Sequence, residues 1–211
     1  MGEMPSRFGL GVCFVAALSS SALAKDECAG HKFLEKPRAD TSCPLLKPEI
    51  FVSPDGSMRV AVLPVGVSLN ATPDMENRVV IHTSEGDTRS SKSYASPQGE
   101  HGYYVVAGKW SPDSQFFAYS LTSSGGHQPW SFPIVVYGRK ANAFAKFSDM
   151  IKGEPTVSGK LEFTGPHTLT AMTWKSQGDL DHSVPISVDL EKAFEELKPE
   201  EEYPGTEPPK R

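Results

Sequence analysis

From Glu49 onward, short apolar runs alternate with polar stretches, and proline or glycine breaks nearly every run. The runs are rich in Val, Ile, Thr, Phe and Tyr, which fit a pleated, half-buried surface better than a helical stripe. The pattern predicts strands at residues 49 to 53, 58 to 66, 78 to 83, 103 to 110, 115 to 122, 132 to 138, 160 to 164, 168 to 175 and 183 to 188. Glu85-Gly-Asp87 and Gly138-Arg-Lys-Ala-Asn142 read as hairpin turns. The periodicity changes only near the end. Leu190, Phe194 and Leu197 are spaced i, i+4, i+7 behind Asp189, which predicts a short capped helix with one face on the body.

Two stretches nearly repeat one another: Phe51-Val-Ser-Pro-Asp-Gly-Ser-Met-Arg-Val-Ala-Val62 and Trp110-Ser-Pro-Asp-Ser-Gln-Phe-Phe-Ala-Tyr-Ser120. Each has an aromatic residue, a Ser-Pro-Asp turn and an apolar run. Proline presets the turn and Asp bonds its own backbone, so the motif joins adjacent antiparallel strands. A weaker third copy begins at Phe163-Thr-Gly-Pro-His167, and anchoring on Val60, Ala118 and Ala171 gives spacings of 58 and 53. Pro133-Ile-Val-Val136 matches Pro185-Ile-Ser-Val188, with Arg78-Val-Val-Ile81 as the counterpart in the first unit. The fold class expected is all-β: propeller-like repeated antiparallel sheets, two clear units and a degenerate third, then a short helix and a disordered tail.

An aromatic-ended strand, Ser-Pro-Asp-Gly and an apolar strand resemble the propeller repeats of TolB-like, prolyl-oligopeptidase-like and WD-type proteins. The likeness covers Phe51 to Val62 and Trp110 to Ser120. The run from Trp110 to Trp130 is also similar to small secreted proteins of Gram-negative bacteria, which implies an address and no mechanism. Three units do not easily close a ring, since propellers have about four to eight blades. Two outcomes follow: an open array, or a homodimer in which two copies cover exposed edges.

The chain's first part adds the address. Arg7, an apolar stretch from Phe8 to Leu18 and Ala22-Leu-Ala24 read as a secretory signal over residues 1 to 24, too short to span a bilayer. Cys28 and Cys43 then remain as an expected disulfide in segment 25 to 48, ahead of a β domain over 49 to 198. Residues 199 to 211 hold four prolines among acids and read as a disordered tail. The formal net charge is −5, and no basic patch with interleaved aromatics suggests nucleic acid, nor a basic amphipathic stretch a membrane. The expected location is periplasmic or secreted.

Candidate chemistry gathers on two loops. Ser123-Ser-Gly-Gly-His-Gln-Pro-Trp130 offers backbone exposed at Gly125 and Gly126, a titratable His127 and the flat face of Trp130. Gln98-Gly-Glu-His-Gly-Tyr-Tyr104 supplies His101 and Tyr103, and if the loops meet these residues line one cleft. No nucleophile elbow and no metal-ligand spacing is present, so neither a catalytic set, a metal nor a cofactor is assigned. The reading is a non-enzymatic binding module for a protein or glycan of the cell envelope. The alternative is a hydrolase or metal-dependent enzyme using His101 and His127.

Overall fold

A computed structural model describes residues 48–65, 76–96, 102–126, 130–175 and 182–197. The signal, Cys28, Cys43 and the 199 to 211 tail lie outside these residues. Three antiparallel sheets follow one another along the chain. The first holds β1 (Glu49–Val52), β2 (Met58–Pro64), β3 (Asn77–Thr83) and β4 (Thr88–Ser93) in that order. The second holds β5 (Tyr103–Trp110), β6 (Phe116–Ser123), β7 (Ile134–Gly138) and β8 (Ala143–Lys146). The third holds β9 (Glu162–Phe163), β10 (Thr168–Trp174) and β11 (Ser183–Asp189). A four-residue helix α1 (Phe147–Met150) follows β8, and α2 (Leu190–Glu196) closes the described chain, its Asp189 side chain accepting from Lys192 N–H.

The predicted strands are all present, with 160 to 164 shortened to β9 and 132 to 138 beginning at Ile134. Strands β4 and β8 and helix α1 were not foreseen. β4 reads Thr-Arg-Ser-Ser-Lys-Ser and carries no apolar alternation, because as an edge strand it needs only backbone pairing to β3.

The first two turns match bond for bond. Ser53 Oγ donates to Asp55 Oδ1 (2.6 Å) and accepts from Met58 N–H (3.0 Å). Ser111 Oγ donates to Asp113 Oδ1 (2.5 Å) and accepts from Phe116 N–H (2.9 Å). Gly56 (φ 71°) and Ser114 (φ 62°) occupy the same left-handed position. The turns also touch: Asp55 N–H donates to Ser114 Oγ (3.1 Å), and Arg139 in the β7–β8 turn pairs with Asp55 at 2.8 Å.

The ladders bear out the spacing of 58 between the first two units and correct the third by one residue. Val52 pairs with Arg59 as Trp110 pairs with Phe117, so Trp110 occupies the position of Val52 rather than that of Phe51. The third turn closes from Thr164 N–H to Thr168 O, where the others close from Ser53 to Met58 and Ser111 to Phe116. It is one residue shorter, so Ala171 stands where Tyr119 does, not Ala118. Both aromatics still reach the interior, since the rings of Phe51 and Trp110 each lie 5.3 Å from that of Phe117.

With this register the sheets pack front to back in one sense. Met58, Val60, Val62, Val79 and Ile81 of the first sheet meet Phe117, Tyr119, Leu121, Val135 and Tyr137 of the second. The opposite face of the second, with Phe116, Ala118, Ile134 and Val136, meets Leu169 and Ala171 of the third. The middle sheet is therefore covered on both faces, which is why Phe116 to Leu121 is an unbroken buried run. The third sheet is one-sided and alternates: β10 buries every second residue, and its outer face bears hydroxyls, with Thr170 Oγ1 2.7 Å from Ser187 Oγ.

Candidate functional site

Of the six residues assigned to a binding loop pair, Tyr103, Gly125, Gly126 and Trp130 are described, while His101 and His127 lie outside the described residues. Tyr103 opens β5, pairs with Ser123 and packs, half-buried, on the first core cluster. Gly125 and Gly126 form an exposed turn in which Gly126 has φ 66°. Trp130 is 50% exposed.

The bases of the two loops do meet. Ser124 N–H donates to Gly102 O (2.9 Å), and the Ser124 hydroxyl lies 3.0 Å from Glu76 Oε1 and 3.1 Å from Gly102 O, donating to one at a time. Glu76 is the residue that sequence reading missed. Its carboxylate is 1% exposed and accepts from Ser96 N–H (2.6 Å), Ser96 Oγ (2.8 Å) and Gly102 N–H (2.6 Å). Burial removes a charge from water, and here neutral donors from three chain segments replace that hydration. The fit requires glycine at 102, since a Cβ there would stand 2.4 Å from Glu76 Cδ and 2.2 Å from Tyr94 O. Next to this knot, Tyr94 and Tyr119 join hydroxyls at 2.6 Å, and burial pushes both phenols above their ordinary range, so they stay neutral. The start of the β6–β7 loop thus has a fixed base.

The opposite end of β6 borders a cleft of about 360 Å³. Phe116 at the start of β6 and Phe194 of α2 form its apolar wall, with ring centroids 5.5 Å apart at 42°. Phe194 seats on Gly138, where a Cβ would come within 2.6 Å of its ring. The polar rim comes from Asp113, Lys140, His167, Glu191 and Glu195. His167 Nδ1 lies 3.8 Å from Asp113 Oδ2, and its Nε2 lies 3.5 Å from Asp189 Oδ2 and 3.9 Å from Glu191 Oε2, so the ring stands among three carboxylates without closing a hydrogen bond.

Neither place shows an activated nucleophile. Thr88 Oγ1 lies 3.3 Å from His82 Nδ1 on the exposed edge of the first sheet, as a cross-strand pair. A hydroxyl–imidazole contact needs a third group to orient the base, and no hydrogen bond among the described residues supplies one there. No group of three or more His, Cys, Asp or Glu among the described residues could hold a metal ion. No described helix is long and apolar enough to cross a membrane. No protein-family model matches the chain. A search of curated proteins likewise finds no match for it.

Proposed function

We propose that this chain is a secreted or periplasmic binding module, non-enzymatic, that engages another envelope protein or a glycan through the loop end of its second sheet. The observation that carries the reading is Trp130, half exposed on the connection that follows β6, whose start is tied down by Ser124, Gly102 and Glu76. An exposed indole on a rigid mount offers a flat apolar face at small entropic cost, which suits a sugar ring or a partner's side chain. Three meander sheets stacked front to back in one sense support a propeller-like origin of the scaffold.

Three measurements test this reading. Capture from the native envelope fraction, in parallel with a glycan array, is expected to return a ligand held by the mature chain. Strong turnover of generic ester, phosphate or glycoside substrates that disappears in His127→Ala would replace the reading with catalysis. Mass spectrometry of the exported protein tests the address: it should begin at Lys25 with Cys28 and Cys43 linked, and two free thiols would contradict an oxidising compartment.

A further inference from the structure

We propose that the cleft between the second and third sheets is a separate binding site, independent of the Trp130 surface, for an organic cation carried on an apolar stem. The volume of about 360 Å³ falls within the roughly 300–1,000 Å³ typical of small-molecule sites. Its wall is aromatic, and a cation over the face of Phe116 or Phe194 is attracted by the ring quadrupole. Its rim sets the sign: Asp113, Glu191 and Glu195 face a single ammonium, that of Lys140. A concave site lined mainly by one charge attracts the opposite one and repels its own.

The site is built before a ligand arrives. Asp113 Oδ1 is held by Ser111 Oγ (2.5 Å) and Gln115 N–H (3.1 Å), which leaves Oδ2 facing His167 at 3.8 Å. Gly138 is the seat without which Phe194 could not lie against Phe116. The imidazole of His167 stands 3.5 to 3.9 Å from three carboxylates, so those oxygens retain accepting capacity for an incoming donor. An ammonium or guanidinium at the rim donates to them while its stem lies against the accessible part of Phe194 and the edge of Phe116. Preformed groups of this kind reduce the ordering cost of binding.

The same chemistry is presented by a small amine or by a basic side chain of a polypeptide, and the test separates the two. Full mature chain is titrated, with amide chemical shifts as the readout, against benzylammonium, benzyl alcohol and benzoate, then against a capped glycine-lysine-glycine tripeptide and its acetyl-lysine form. Benzylammonium should shift His167 and Gly138 and bind about tenfold more tightly than benzyl alcohol, with benzoate weakest. The double variant Glu191→Gln, Glu195→Gln changes exposed helix positions and should lose most of that preference while benzyl alcohol binding stays unchanged. Trp130→Ala should leave all of it intact. A lysine tripeptide binding as well as benzylammonium assigns the site to a polypeptide partner; selective binding of benzylammonium assigns it to a small amine. Benzoate binding as tightly as benzylammonium, a double variant with the cation preference intact, or no shifts in the cleft at millimolar benzylammonium would each overturn the proposal.

Discussion

Ser114 holds a backbone conformation that glycine normally takes, at φ 62° where the first turn has Gly56 at 71°. For a residue with a Cβ this costs on the order of 1–2 kcal/mol. The offset is visible in the structure, since Ser114 Oγ accepts the N–H of Asp55 from the neighbouring turn. Ser114→Ala keeps the strain and loses the bond, so it should destabilise by about 1–2 kcal/mol. Ser114→Gly loses the bond and the strain together and should stay within about 0.5 kcal/mol of the native protein. Urea unfolding of both variants checks the order, and Ala proving milder than Gly would contradict it.

Asp55 shows the same coupling electrostatically. The Ser53 hydroxyl first, then the Ser57 hydroxyl and N–H, then Arg139, hold its carboxyl well below its usual value of 3.8. A folded-state pKa below the unfolded one stabilises fully above the unfolded value, and the contribution is lost as pH falls from there through the lowered one. The urea midpoint of the native protein should therefore drop more steeply below about pH 4 than that of Asp55→Asn. The effect will be modest, because the side chain is 43% exposed. Parallel titration curves for the two proteins would show that the turn contacts do not stabilise the carboxylate.

Equivalent strand positions carry unequal loads. Trp110 is buried in the first core cluster and donates Nε1–H to Phe51 O (3.1 Å), whereas Val52, its counterpart by register, is 54% exposed at the end of the stack. Trp110→Ala should cost about 3–5 kcal/mol, while Val52→Ala should cost well under 1 kcal/mol. Pro112→Ala should be nearer the second, because the turn keeps its Ser111 and Asp113 bonds. Similar losses at Trp110 and Val52, read from denaturation midpoints, would refute the register.

At this scale the sequence was legible wherever a strand has a buried face. The Ser-Pro-Asp turns announced two units because their side chains bond their own backbone, and that chemistry survives in the residue names. Thr88–Ser93 was not legible, because pairing through the backbone leaves little trace in side chains; Ala143–Lys146, whose Phe144 packs on Tyr119 and Tyr137, is too short for its alternation to stand out. The third unit was misaligned by one because matching Ala171 to Ala118 hid a turn one residue shorter. Glu76 could not be found at all from its neighbours in sequence. Its partners Ser96, Gly102 and Ser124 lie 20 to 48 residues away, and only the meeting of the first and second sheets brings them together.

For the whole molecule, the two sheets are joined at one end by paired turns and at the other by a buried carboxylate. Glu76→Gln keeps the shape, but it replaces one accepting oxygen by an NH2 group, which must then face the N–H of either Ser96 or Gly102. It should cost about 2–4 kcal/mol and raise amide exchange at Gly102 and Ser124 more than at Asp55 and Ser114. Uniform acceleration at both ends would mean that Glu76 supports the fold as a whole rather than the loop base.

The most direct measurement is of Trp130→Ala beside Trp110→Ala, with unfolding midpoint and retention of the captured envelope ligand read on the same preparations. Trp130→Ala should keep the native stability to within about 0.5 kcal/mol and lose the ligand, while Trp110→Ala should lose stability first. If Trp130→Ala unfolds like a core variant, or folds and still retains every captured ligand, the binding surface is not at this loop end.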